Sequence, residues 1–331
     1  MSGALASKSE VPPVILAPMA GISDLPFRAL ALRCGASMVV SEMVASGDML
    51  RARPEARARA ELGIEERRTA IQLAGRDPAL MAEAARFCAD QGAARIDINF
   101  GCPAKKVTGG LSGSALMREP DRAVRIVAAV AEAVAVPVSV KMRLGWDDGE
   151  RNAPEIAARA EAAGATQVAV HGRTRCQFYT GRADWRAIAA VKAAVGVPVI
   201  ANGDIADPAS ALAARGLSGA DGIMVGRAAR GRPWILGEIA AGLAGVEPPL
   251  PPGRAALIDM ISGHYEAMLG FYGRDLGLRV ARKHLGWYLD AVPGSGGLRR
   301  RVMASQDPGA VLRMLACELD DLGAGEALAA A

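Results

Sequence analysis

The sequence predicts an α/β protein: a (β/α)8 TIM barrel followed by a small C-terminal helical bundle. Three observations carry this reading. Short β-branched runs alternate with longer helical patterns through residues 14–225. A proline-rich stretch then interrupts the chain. Beyond it only helical patterns occur.

The strand candidates are residues 14–17, 38–40, 69–73, 95–99, 138–142, 167–171, 199–202 and 222–225. Helical patterns lie between them, such as 78–91, 121–133, 154–163 and 208–215. Strands that alternate with helices pair in parallel through right-handed crossovers, and eight such units fit a barrel. A doubly wound open sheet is the alternative. It would want a GxGxxG first turn, whereas the first turn here reads Ala17-Pro18-Met19-Ala20-Gly21. Several helix starts carry capping chemistry: Asp24 before Leu25-Pro26, Asp77 before Pro78 and Asp207 before Pro208. Aspartate at the cap accepts from free amide groups, and proline suits the first helical position. Residues 246–253 form the proline-rich linker. They divide a barrel over 1–245 from a separate helical domain over 254–331, whose helices read as 254–270, 276–290, 298–305 and 308–321. The end, 326–331, reads as frayed.

Composition narrows the function classes. The 331 residues are 51% hydrophobic and 22% charged, which is ordinary for a globular chain. No run reaches the ~20 apolar residues a membrane helix needs, and residues 1–11 lack a signal-peptide pattern. The five cysteines are scattered with no CxxC pair, so no metal site is expected, and a reducing, cytoplasmic setting fits. A net charge of +4 permits a nucleic-acid partner without demanding one. Nothing points to an obligate protein partner.

In a barrel, function collects at the C-terminal ends of the strands. Those ends here carry Pro18-Met19-Ala20, Glu42, Gln72, Asn99 and Cys102, Lys141 and Arg143, His171, Asn202-Gly203-Asp204, and Gly226-Arg227. Gly203 and Gly226 follow the last two strands. Glycines there let backbone amides approach a phosphate, and Arg227 can add a charged fork. Tight turns with no ligand are the bland alternative. Lys141 suits an electron-rich ring such as a flavin. A Schiff-base lysine or a structural ion pair would also use it. Gln72 can present a donor and an acceptor to a ring edge. His171 lies where ligands bind, although a lone histidine is often structural.

Cys102 sits in Asn99-Phe100-Gly101-Cys102-Pro103-Ala104-Lys105-Lys106-Val107. Gly101 and Pro103 force a sharp turn, and the two lysines bring positive potential. Cys34 and Cys88 suit an inert core position; Cys102, in a turn, does not. A thiol facing a flavin can deliver a proton to one face of a double bond while hydride reaches the other.

These residues resemble the tRNA-dihydrouridine synthases, in particular the bacterial B type. The resemblance rests on Ala17-Pro18-Met19-Ala20-Gly21-Ile22-Ser23-Asp24, on Asp97 through Val107, and on His171-Gly172-Arg173-Thr174-Arg175. It continues through Ala201-Asn202-Gly203-Asp204-Ile205, Gly226 through Trp234, and Ala281 through Tyr288. It implies FMN in the barrel mouth, electrons from NADPH, and reduction of the C5–C6 double bond of uridines in tRNA. By the same resemblance Pro18, Met19, Ala20, Gln72, Lys141, His171, Asn202, Gly203, Asp204, Gly226 and Arg227 match cofactor contacts, and Cys102 matches the proton donor. Asn99, Arg143, Arg173, Arg175, Arg282 and Lys283 are expected on the substrate side. The sequence departs from some relatives at Thr108-Gly109-Gly110, where basic residues can stand.

An RNA substrate wants a basic surface. Residues 254–331 hold nine Lys and Arg against nine Asp and Glu. The charges are segregated, with Arg279, Arg282, Lys283, Arg299, Arg300 and Arg301 before most of the acids. A basic helical face toward tRNA is the expectation, and a merely solvated face is the alternative. Two other functions compete: a barrel flavoenzyme acting on a free pyrimidine, and an RNA-binding protein without catalysis.

Overall fold

The computed structural model describes residues 11–321 apart from 52, 64, 65 and 250. The expected fraying at 326–331, and nearly all of the N-terminal reading, lie outside the described residues. Nine strands are present among the described residues: β1 (Val14–Leu16), β2 (Met38–Val40), β3 (Val44–Ala45), β4 (Thr69–Ala74), β5 (Arg95–Phe100), β6 (Val138–Arg143), β7 (Gln167–His171), β8 (Val199–Asn202) and β9 (Gly222–Val225). All pair in parallel. The order runs β2-β1-β9-β8-β7-β6-β5-β4, and β2 pairs with β4 to close an eight-stranded barrel. The expected architecture is therefore the observed one.

β3 is a continuation of the second barrel strand. β2 pairs with the first half of β4 and β3 with its end, Val44 opposite Leu73. The break falls at Ser41–Met43. There the Ser41 hydroxyl accepts from the Gln72 amide at 3.0 Å, in place of a ladder bond. The break turns Met43 toward the mouth and lets the Glu42 carboxylate accept from the Gly21 amide.

Side chains alternate across each strand. Val14 and Leu16, Ile96 and Ile98, and Val168 and Val170 point outward into the main core beneath the helices. Ile15, Ala17, Val40, Ala70, Ala169, Ile200 and Met224 point inward and pack together. On β4–β6 most inward positions beyond Ala70 are polar: Gln72, Asp97, Asn99 and Ser139 are all buried.

The three aspartate caps form as expected. Asp24 accepts from Phe27, Asp77 from Leu80 and Asp207 from Ser210, and Asp184 caps a further helix, Trp185–Ala194.

Four helices follow the linker: Arg254–Tyr272, Arg274–Asp290, Gly296–Ala304 and Pro308–Asp321. Their core draws in Leu30 and Trp234 from the barrel. Phe27 of the barrel packs on the His264 and His284 rings at 5.7 and 5.4 Å. Tyr272 donates to Asp24 at 2.9 Å, and the Lys283 ammonium donates to the Gly21 carbonyl. These contacts join the helical region to the barrel, while its core remains distinct from the barrel's main core. No helix among the described residues is long and apolar enough to cross a membrane.

Candidate active site

The C-terminal ends of the strands open into a cleft of about 810 Å³. Its lining includes Pro18, Met19 and Ala20 from the first loop, Gln72 from β4, Asn99 from β5 and Cys102 beyond it. Lys141 and Arg143 of β6, His171 of β7, Asn202, Gly203, Asp204, Gly226 and Arg227 complete the expected set. Residues far apart in sequence meet there because parallel strands bring all their C-terminal ends to one face.

The Cys102 turn is held at four backbone groups. Asn99 Oδ1 accepts from the Gly101 and Cys102 amides at 3.0 and 2.8 Å. The Gly101 carbonyl accepts from Arg143 Nε at 2.9 Å. The Cys102 carbonyl accepts from the Ser114 hydroxyl at 2.9 Å. Gly113, with φ +60°, is needed behind it, because a Cβ there would stand 2.9 Å from the Cys102 carbonyl oxygen. With the backbone committed, the half-buried thiol faces the cleft.

Beside it, the Lys141 ammonium makes no hydrogen bond or ion pair among the described residues. Burial and the Arg143 charge lower its pKa to about 8, against the opposing pull of Asp97 and Cys102. Arg143 spends Nε on Gly101 and Nη1 on the carbonyls of Thr174 and Phe178, both at 2.8 Å. Its Nη2 donates to nothing among the described residues. Burial and the surrounding cations Lys141, Arg143, Arg173 and Arg227 hold His171 well below the usual histidine range, so the ring is neutral. Its Nδ1 is buried without a partner.

The last two barrel strands end in unusual backbone. Gly203 has φ +113° and Asp204 φ +54°, a region that non-glycine residues rarely enter. A Cβ at Gly203 would press on Ala183 at 2.9 Å and on the His171 ring at 3.3 Å. At Gly226 a Cβ would meet nothing nearer than 3.7 Å and would stand in the cleft. The Asp204 carboxylate is committed to Arg173, at 2.6 and 2.9 Å, to the Ala183 amide and to Arg227. Although burial opposes ionisation, those bonds hold its pKa below the ordinary value. Any contact from Asp204 to a ligand therefore falls to its backbone.

The substrate-side arginines divide. Arg143 lines the cleft, whereas Arg173 is 2% exposed and locked to Asp204, Thr180 and Gly181. Arg175 lies over the Trp146 ring at 4.7 Å, with Arg118 also against that ring. Arg282 donates to the Ser305 carbonyl, and Lys283 reaches the first barrel loop. The segregation of charge seen along the C-terminal sequence closes in space: Arg299 pairs with Asp290, and Arg301 with Glu318.

Several lining residues are not among the expected ones. Phe178 and Tyr179 form an edge-to-face pair with centroids 4.8 Å apart, about half exposed at the rim. Arg143 and Arg227 flank the Tyr179 ring at 5.5 and 5.0 Å. Two adjacent aromatics in a chain with 4% aromatics, just after a strand-end loop, were a usable signal. Arg230 lines the cleft and lies over Trp287 at 5.0 Å. It extends the cationic rim onto the helical region. Among the described residues no group of three or more His, Cys, Asp or Glu could hold a metal ion.

A family model described as "Dihydrouridine synthase (Dus)" matches residues 15–321. A Rhodobacter capsulatus protein named "Probable tRNA-dihydrouridine synthase" is 61% identical over 305 residues, covering 92% of this chain and 94% of its own length. A Rickettsia conorii protein of the same name is 50% identical over 304 residues, 92% of each chain. The "tRNA-dihydrouridine synthase B" of Xanthomonas axonopodis pv. citri is 48% identical over 317 residues, 96% of each.

Proposed function

The chain belongs to the dihydrouridine synthase family, and from that premise we propose that it reduces the C5–C6 double bond of uridines in tRNA, with FMN as cofactor and NADPH as electron donor. One observation carries the reading: the Cys102 thiol, the unpartnered Lys141 ammonium and the Gly203 and Gly226 turns open into a single cleft. The relatives' names supply the tRNA.

The residues suit the cofactor. Lys141 has no hydrogen-bond or ion-pair partner among the described residues, and an electron-rich ring bound beside it would gain from its charge. The neutral His171 ring has an unused Nδ1. Gly203, Gly226 and Arg227 would take the phosphate, with backbone amides and a charged fork, while Arg173 neutralises the one carboxylate nearby, Asp204. Pro18, Met19, Ala20, Gln72 and Asn202 would line the remainder of the group. When bound, FMN supplies the hydride that originates on NADPH.

The chain's own residues do the rest. The extruded uridine would enter past Phe178 and Tyr179, the half-exposed aromatic pair at the rim. Arg143, whose Nη2 has no acceptor among the described residues, would offer a donor pair to its carbonyl edge. With hydride supplied by the bound cofactor to one carbon of the double bond, the Cys102 thiol would give its proton to the other. The thiolate left behind faces Lys141 and regains a proton from solvent. Arg227, Arg230 and Lys283 offer a cationic rim for the RNA backbone.

Mapping dihydrouridine in tRNA from a strain lacking this gene tests the assignment: specific positions revert to uridine. In vitro, the FMN-loaded protein reduces bulk tRNA and neither free uracil nor orotate. A colourless protein that cannot be loaded with FMN would refute the reading. So would borohydride trapping of a carbonyl substrate at Lys141.

A further inference from the structure

Asp97 is 3% exposed and sits inside the barrel below the cleft, where no substrate reaches it. Burial raises its pKa, against the Gln72 and Ser139 bonds and the charges of Lys141 and Arg95. A carboxylate in such a place is costly unless its bonds do something. Its partners form a directed chain. Asp97 Oδ2 accepts from Gln72 Nε2 at 2.7 Å. Gln72 Oε1 accepts from Asn99 Nδ2 at 2.7 Å. Asn99 Oδ1 then accepts from the Gly101 and Cys102 amides. Ser139 donates to the other Asp97 oxygen at 2.7 Å.

The polarity of this chain is consistent from end to end. Asp97 accepts from Gln72 through one oxygen and from the Ser139 hydroxyl through the other, so Gln72 presents its amide nitrogen to Asp97. Its oxygen is thereby aimed at Asn99, which must in turn present nitrogen to Gln72. Only then is Asn99 Oδ1 left for the Cys102 turn. Reversing the Gln72 amide would reverse Asn99 and set its NH2 group against two backbone N–H donors. The register makes the chain possible: Gln72 lies opposite Asp97 across β4 and β5, Asp97 lies opposite Ser139 across β5 and β6, and Asp97 and Asn99 are two apart on one strand.

We propose that Asp97 is the positioning residue for Cys102: through Gln72 and Asn99 it sets the amide orientation that holds the thiol-bearing turn in its working geometry. The role of the thiol rests on the function proposed above; the positioning of the turn does not.

The test measures amide exchange at Gly101 and Cys102, the alkylation rate of Cys102 read by peptide mapping, and kcat and KM with tRNA. Asp97→Ala removes the acceptor. Exchange at the turn is expected to accelerate about tenfold or more, as for loss of a buried hydrogen-bond network. Cys102 alkylation shifts with it, and kcat falls by a similar factor while KM for tRNA stays within about twofold. Asp97→Asn can still accept from Gln72 while donating to Ser139, so it restores protection of the turn. Ser139→Ala weakens Asp97 without touching the chain toward Cys102. It lowers the melting temperature but leaves exchange, alkylation and kcat unchanged. If Asp97→Ala does not fold, Gln72→Met cuts the next link and must produce the same loss of protection. Protection that persists in the cut variant overturns the proposal. So does loss that merely tracks melting temperature across Asp97→Ala and Ser139→Ala. Exchange and alkylation are read without substrate, so a failure to reduce tRNA would count against the proposed function and leave this test intact.

Discussion

The two sides of the barrel interior differ sharply. On β7, β8, β9, β1 and β2 the inward residues include Ala169, Ile200, Met224, Ile15 and Val40, a small apolar plug, with His171 and Asn202 above it at the cleft. On β4–β6 they are Gln72, Asp97, Asn99, Ser139 and Lys141, a hydrogen-bonded polar wedge with a free ammonium at its top. Both sides are buried by the same strand geometry. The apolar side needs only volume and shape, and any well-fitting hydrocarbon serves. On the polar side Gln72, Asp97, Asn99 and Ser139 pair with one another, so they constrain one another and the Cys102 turn above them, while Lys141 has no hydrogen-bond partner among the described residues. Stability and chemistry are thereby divided between the halves of one barrel. Substitution on the apolar half should change the folding equilibrium and spare the rate; on the polar half, cutting the chain that runs from Asp97 through Gln72 and Asn99 to the Cys102 turn should lower the rate.

The largest effect is expected at the tip of the polar side. Cys102→Ala should retain FMN and tRNA binding yet lose roughly 10²–10⁴-fold in single-turnover reduction, the usual worth of a placed general acid. A rate near wild type would remove its role as acid. Lys141→Met should weaken FMN retention, read as faster loss of bound flavin on dilution. It also tests the pH behaviour of the polar wedge. The folded-state pKa of Lys141 is lowered from 10.5 to about 8, so the folded chain releases this proton before the unfolded chain does. The group's penalty is full below pH about 8 and fades as pH rises toward 10.5, so its contribution to stability increases across that window. Urea midpoints of the flavin-free protein should show this rise in wild type and not in Lys141→Met.

On the apolar side, Ile200→Ala should cost about 2–5 kcal/mol by opening a cavity, while kcat of the folded fraction is unchanged. An equally large fall in kcat would erase the contrast between the two sides. The smallest effect is expected outside both. Tyr272→Phe removes the donor to the buried Asp24 carboxylate, costing about 1–3 kcal/mol. It should lower the melting temperature without altering flavin binding.

Much of the barrel was legible in the sequence, because each strand is a local run and each Asp–Pro helix start is a local signal. The mouth was legible too. Gln72, Lys141 and His171 each occupy a strand end, and strand ends converge in any such barrel. What was missed depends on partners distant in sequence. Asp97 and Asn99 alternate on β5, yet only their neighbours on β4 and β6 show that they form a chain. Arg173 has the same chemistry as Arg143, but it folds inward onto Asp204 while Arg143 keeps an amino group free. Arg301 reads as part of a basic cluster until Glu318 is found beside it. The break at Ser41–Met43 was hidden because a hydroxyl stands in for a ladder bond.

The sequence by itself determined the order of strands and helices, the caps that start the helices, and the family motifs around Cys102. Those depend on residues a few positions apart, where propensity and capping act. Only the tertiary structure decided which polar groups are satisfied, which charges remain free, and how far the helical region merges with the barrel. Those depend on which side chains meet across strands, and a hydrogen bond or ion pair exists only once both partners are in place.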